Sequence, residues 1–260
     1  MDMALGESKG WVGSGRRHGV RTSWDFDRSQ KLKSMTQSSV NKKDTFQKAA
    51  TNWFNRSYPL IFAFLFFFFV VISFLPPLLM KVGATTIAII LYRLFKFLCH
   101  QLPFRSFFLF GAQPYYPLEA ARMSQIPLTF EAALDEFSLS FDNPANFYGN
   151  ELMGYKGALC QRDIAIYLGF GLFCLVFYLS RNRIKRVHWA IWLTFGIVPI
   201  GLDGGSQLVS RFLPFLDGAR ESTPIFRVVT GGLFGWMTAW FILPFLDKNL
   251  QQEYDEPRPE

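Results

Sequence analysis

Charge is scarce in this sequence, and scarce in particular places. Asp, Glu, Lys and Arg make up 18% of the 260 residues, against about 25% in an ordinary soluble domain. Four stretches hold none of them: Tyr58–Met80, Ile164–Ser180, Val187–Leu202 and Val228–Leu246. Established catalytic signatures are missing as well. With no H-E-x-x-H, G-x-S-x-G, P-loop or complete G-x-G-x-x-G, the common hydrolase, nucleotide and dinucleotide chemistries have no support. No heptad and no repeat of fixed period appears. The uncharged stretches carry no charge at their middles, where a transporter would normally place a charge or a broken helix.

What the chain does have is apolar surface. Half of its residues are hydrophobic and 30 of them are Phe. Tyr58–Met80 is 23 residues long, and a helical span needs roughly 20. Val187–Leu202 is shorter but carries Trp189 and Trp192 near its start, where an interfacial aromatic belt belongs. The expected fold is an all-α membrane protein with four transmembrane helices. Val82–Leu98 fails as a span because Arg93 and Lys96 interrupt it. At helical spacing Arg93, Lys96 and His100 share a face, so it reads as an amphipathic helix in the interface.

The loop RNRIKR (Arg181–Arg186) holds four positive charges in six residues, which predicts a cytoplasmic loop and, with four spans, cytoplasmic N and C termini. Residues 1–57 read as a disordered basic arm that sets topology and attracts anionic headgroups, with no nucleic acid expected. They lack a signal-peptide pattern. Residues 58–246 form the transmembrane domain and 247–260 an acidic cytoplasmic tail. The exoplasmic insert 112–157 has more acids than bases, is punctuated by prolines and is expected to form a small cap with short helices at Leu118–Met123 and Phe130–Phe137.

Polar residues then gather at the outer ends of the spans. Cys99, His100, Gln101 and Arg105 follow the interfacial helix, and Cys160, Arg162 and Asp163 sit at the mouth of the second span. Asp203, Gln207 and Arg211 leave the third, on a short outer helix expected to follow a break at Asp203-Gly-Gly and to end near Phe215. Arg220, Glu221 and Arg227 enter the fourth. Such groups at a membrane edge usually pair with one another.

The strings CHQLPFRSFFLFG, LCQRDIAIYLG, PIGLDGGSQL and RESTPIFRVVTGGLFG occur in that order, each beside an apolar stretch. Over about residues 92–246 they resemble the bacterial membrane-protein family called domain of unknown function (DUF) 2085. The family's pattern is CHQ-x-P-x-R-S-F, then C-x-R-C, then D-G-x-T-Q, then R-E-S-T-N. This chain departs from it at Asp163, Ser206 and Pro224 and in the long segment Ala112–Gly157. The resemblance implies an architecture, a set of polar positions and a bacterial plasma-membrane location, but no activity.

Three readings of the Cys/His residues stay open. Cys99, His100, Cys160 and Asp163 are a chemically competent zinc set. Cys99 and Cys160 are equally able to form an exoplasmic disulfide, and the whole layer suits a plain network of arginines against Asp163, Asp203 and Glu221. Each predicts that Cys99 or His100 lies close to Cys160–Asp163. Gly231 and Gly235 give the fourth span a smooth face for helix packing, internal or between subunits. The leading functional reading is a structural or accessory membrane protein, in the lipid bilayer with a membrane-protein partner or a second copy. The alternative is a small membrane enzyme or binding protein with a metal or anion in the polar layer.

Overall fold

The computed structural model describes residues 23–123, 128–140, 143–212 and 220–255. The chain divides into two units, 1–52 and 53–260. In the first, the described residues 23–52 are helical and belong to α1 (Ser23–Ser73). This corrects the disordered arm expected there. Residues 23–57 contain no Gly or Pro and are rich in Lys and Gln, which cost little in a helix. Residues 1–22 of that arm and 256–260 of the expected tail lie outside the described residues.

The second unit is mostly helical. Three helical segments are long and apolar enough to cross a membrane: Thr51–Lys81, Gln161–Leu179 and Pro224–Gln252. The first combines the end of α1 with α2 (Leu75–Lys81), the second is α5 and the third lies in α8 (Pro224–Asp255). A fourth helical run, 189–212, is composite. A short α6 (Trp189–Trp192) passes through a π segment, Leu193–Ile197, into α7 (Val198–Phe212). Pro199 lacks the N–H that an α-helix would donate to residue 195, so the ladder must adjust here. The helix then runs through Asp203-Gly-Gly without the expected break, because interior glycines each cost only about 1 kcal/mol. The expected end near Phe215 lies outside the described residues.

Side-chain contacts fix the directions. Tyr58 Oη donates to Leu243 O in the second half of α8, while Phe69 meets Tyr167 in the first half of α5, so residues 53–73 of α1 run antiparallel to both. Helices α5 and α8 run parallel: Arg162 lies by Gly231, Ile166 by Gly235, and Phe173 stacks on Trp240. The 189–212 run returns antiparallel to α8, with Trp192 on Phe241 and Asp203 near the helix start at Ser222. It carries the chain from the end of α5 back to the end where both α5 and α8 begin.

A sheet was not expected, and the all-α reading is corrected here. Strands β1 (Ser106–Leu109), β2 (Gly149–Asn150) and β3 (Gly154–Cys160) form an antiparallel sheet in the order β1-β3-β2. The strands are short and interrupted by polar residues and glycines, so their period-2 signal is weak. Gly149 and Gly154 have φ of +105° and +81°, values that side chains rarely tolerate. Tyr116, Phe130, Ala133 and Met153 of the insert share a core with Phe104 and Phe108. Its expected helices are a 3₁₀ turn at Glu119–Ala121 and α4 (Phe130–Glu136).

The segment expected at the interface is an 11-residue helix, α3 (Thr85–Phe95). It buries Ala88, Tyr92 and Phe95 against Val70, Leu159 and Ile164, which locks it to α1, β3 and α5. Arg93 and Lys96 are exposed, and so are Ile87, Ile90 and Leu94 on a separate face.

Candidate functional site

The β1–β3 register builds the site. Ser106 pairs with Cys160, so the segment leading into β1 lies beside the strand end leading into α5. Cys99 is buried, Cys160 half-buried, and their Sγ atoms and an Asp163 carboxylate oxygen all lie within 4.8 Å of one another. Cys160 is the N-cap of α5, and its Sγ accepts the Asp163 N–H at 3.5 Å. The Cys99 thiol beside it holds the Cys160 thiol below its usual range, and the helix N-terminus also favours a thiolate. The same contact, with burial, pushes the Cys99 thiol up.

His100 is not in this group. Helix α3 ends at Phe95, and by Cys99 the backbone has left helical geometry. Successive side chains in such a chain turn opposite ways, and Cys99 is buried while His100 is exposed. His100 instead lines the same cavity, of about 180 Å³. No disulfide joins Cys99 and Cys160, since all three cysteines are free.

The arginine layer lies beside the thiols. Glu221 accepts from Arg105 Nε at 2.7 Å and Nη2 at 2.9 Å, and also pairs with Arg227 Nη2. Arg227 is 1% exposed and donates through Nη1 to Phe104 O and Gln161 Oε1. Asp203 pairs with Arg162, accepts from Ser222 Oγ at 2.9 Å, and has Arg220 at 3.7 Å. Gln207 accepts from Arg105 Nη2 at 3.0 Å. The side chain of Arg211 lies outside the described residues.

Sequence reading missed Lys156, fully buried in β3. Its Nζ donates to Gln101 O at 2.6 Å and Ala145 O at 3.2 Å, tying the insert to the CHQ segment. Burial lowers its pKa to about 7, helped by nearby Lys96. A lone Lys in GYKGALC was the available signal. Gln101, also fully buried, has φ +53° and donates to Tyr92 O. Gln161, uncharged and fully buried, was missed too.

The Cys160–Asp163 corner, Asp203, Glu221 and Arg227 fall inside the stretch matched by a family model described as predicted membrane protein (DUF2085), which covers residues 151–241. Over that stretch the chain is similar to DUF2085. The CHQ segment precedes the DUF2085 match, so the site joins a matched half to an unmatched one. An uncharacterized protein of Methanocaldococcus jannaschii is 23% identical over 205 residues, covering 76% of this chain and 99% of its own length. No solved structure matches.

Proposed function

We propose that the protein is a membrane binding protein holding a zinc-like divalent metal on Cys99, Cys160 and Asp163. Convergence carries this reading: three ligand atoms from two distant segments meet within 4.8 Å at the wall of a hollow. A tetrahedral zinc site brings thiolates and carboxylate roughly 3–4 Å apart at the usual bond lengths, a small closure from this arrangement. Three protein ligands leave one position for an exogenous group, as in zinc sites that bind or activate ligands. His100 stands outside the set. The purified protein in detergent is expected to hold one equivalent of zinc, and cobalt substitution to give thiolate charge-transfer absorption. Cys99→Ser or Cys160→Ser should weaken metal binding by more than the roughly 10–100-fold that loss of a supporting contact costs. Absence of metal alongside a Cys99–Cys160 disulfide in thiol counting would overturn it.

A second reading is favoured by the ion pairs. Arg105, Glu221, Arg227, Arg162 and Asp203 tie the segment before β1, α5, α7 and the start of α8 together at one end, which suits a structural or accessory subunit with a membrane-protein partner or second copy. Free thiols without metal would favour it.

The same proposal includes a map in a bacterial plasma membrane. The 189–212 run is the remaining span, for four in all, because it returns the chain between two parallel helices. RNRIKR and both termini are cytoplasmic, and the polar layer, α3 and the 112–157 cap are exoplasmic. A cysteine introduced in Arg181–Arg186 is expected to react with impermeant reagents only from the cytoplasm, and one in the cap only from outside. Labelling of both from one side would sink the map.

A further inference from the structure

We propose that the cavity beside the Cys99–Cys160–Asp163 group binds a phosphate group, gripped by Arg105 and Arg162 and carried by a lipid. This deepens the metal reading by naming the ligand for the open position, but its arginine half rests on separate observations. The first is unused donors. Arg105 Nη1 and Arg162 Nη1 make no hydrogen bond among the described residues, although both side chains are otherwise committed to ion pairs. Arg162 Nε is buried and also has no partner there. Both arginines line the cavity beside the thiols and a second hollow of about 120 Å³. Planar guanidinium forks match phosphate oxygens better than any other side chain.

Charge points the same way. Among the described residues the layer has the four guanidiniums of Arg105, Arg162, Arg220 and Arg227. Against them stand three carboxylates, Asp163, Asp203 and Glu221. Replacing two thiol protons and adding one divalent cation leaves that positive excess unchanged. A bound anion offsets it. The space suffices, since 180 Å³ holds about six waters at roughly 30 Å³ each.

The lipid source follows from the cavity's neighbour. Leu98 lines the cavity and is 57% exposed, and Ile87, Ile90 and Leu94 continue from it along one exposed face of α3. An apolar strip leading to a cationic hollow fits a tail and a headgroup together.

The test measures binding of inorganic phosphate to the full chain in detergent, before and after chelator treatment. It also measures retention of phosphatidic acid on the chain reconstituted in phosphatidylcholine bilayers with and without that lipid. Arg105→Lys and Arg162→Lys, which keep charge but lose the fork, should each weaken phosphate binding about tenfold, the equivalent of one good charged hydrogen bond. His100→Trp, outside every ion pair among the described residues, should block the mouth and weaken both probes without unfolding the protein. Leu98→Asn should reduce phosphatidic acid retention alone; an equal loss of both probes, or of neither, overturns the lipid source. Phosphate binding by a chain that takes up no metal upholds this site and removes the metal. A zinc-loaded chain that binds neither probe, or binds them equally well in all variants, overturns the phosphate site and leaves the metal standing.

Discussion

Glu221→Ala is expected to destabilise the protein by about 3–5 kcal/mol, the usual cost of removing one partner from a buried ion pair. Glu221 is 5% exposed and stands between two guanidiniums, taking Arg105 through both oxygens and Arg227 through one. Its loss strands Arg227, whose side chain is 2% exposed and whose Nε has no partner among the described residues. The Phe104 carbonyl and Gln161 amide oxygen that remain are neutral and cannot balance the charge. Glu221→Gln keeps shape and one acceptor, so it should cost less. Adding Arg227→Met to Glu221→Ala should recover much of the loss, because an apolar replacement of a whole buried pair is often neutral or better. Unfolding in detergent by denaturant titration reads all three. Glu221→Ala within 1 kcal/mol of the parent, or no recovery in the double variant, would mean that Arg227 is not held by this carboxylate.

Much of this site was legible before the fold. Charge in a membrane edge is rare enough that each residue marks a contact, so Arg105, Arg162, Asp203, Glu221 and Arg227 stood out by type alone and do meet one another. Cys99 and Cys160–Asp163 were expected together because α3 and the start of α5 reach the same edge, and they are together. The agent of their meeting was not legible. It is the β1–β3 pairing, whose short strands carry too few residues for a period to declare itself. His100 was grouped with Cys99 as a soft ligand, which requires the helix to end before the pair; it does end, at Phe95, but in non-helical backbone successive side chains turn opposite ways. Lys156 escaped because a search for clusters ignores a charge whose partners are main-chain oxygens. The third apolar stretch was recognised by composition, whereas its π segment depends on how Pro199 is absorbed, which spacing does not reveal.

Gly235→Ala is expected to cost about 1–3 kcal/mol or more, as overpacking does where neighbours cannot yield, and to weaken the site at a distance. A methyl group at Gly235 would overlap the backbone oxygen of Ile166, and one at Gly231 would come within 2.7 Å of the Arg162 oxygen. Both obstacles are main chain in α5, so no rotamer change relieves them; the helices must separate. Close backbone approach is how membrane helices gain packing energy when lipid is as apolar as their side chains, and here the contact lies within one chain. Gly201 is the control. Nothing lies within 4 Å of a methyl group placed there, so Gly201→Ala should be neutral or stabilise by up to about 1 kcal/mol through helix propensity alone. The consequence for the site follows from geometry. Gly231 sits four residues beyond Arg227 and opposite Arg162, so pushing α8 from α5 pulls Arg227 from Gln161 and Arg162 away from the Asp203–Ser222 contact that joins it to the start of α8. Gly235→Ala should therefore lower both unfolding stability and metal retention in detergent, while Gly201→Ala leaves both intact. Equal behaviour of the two variants would show that the α5–α8 contact neither holds the bundle nor positions the polar layer.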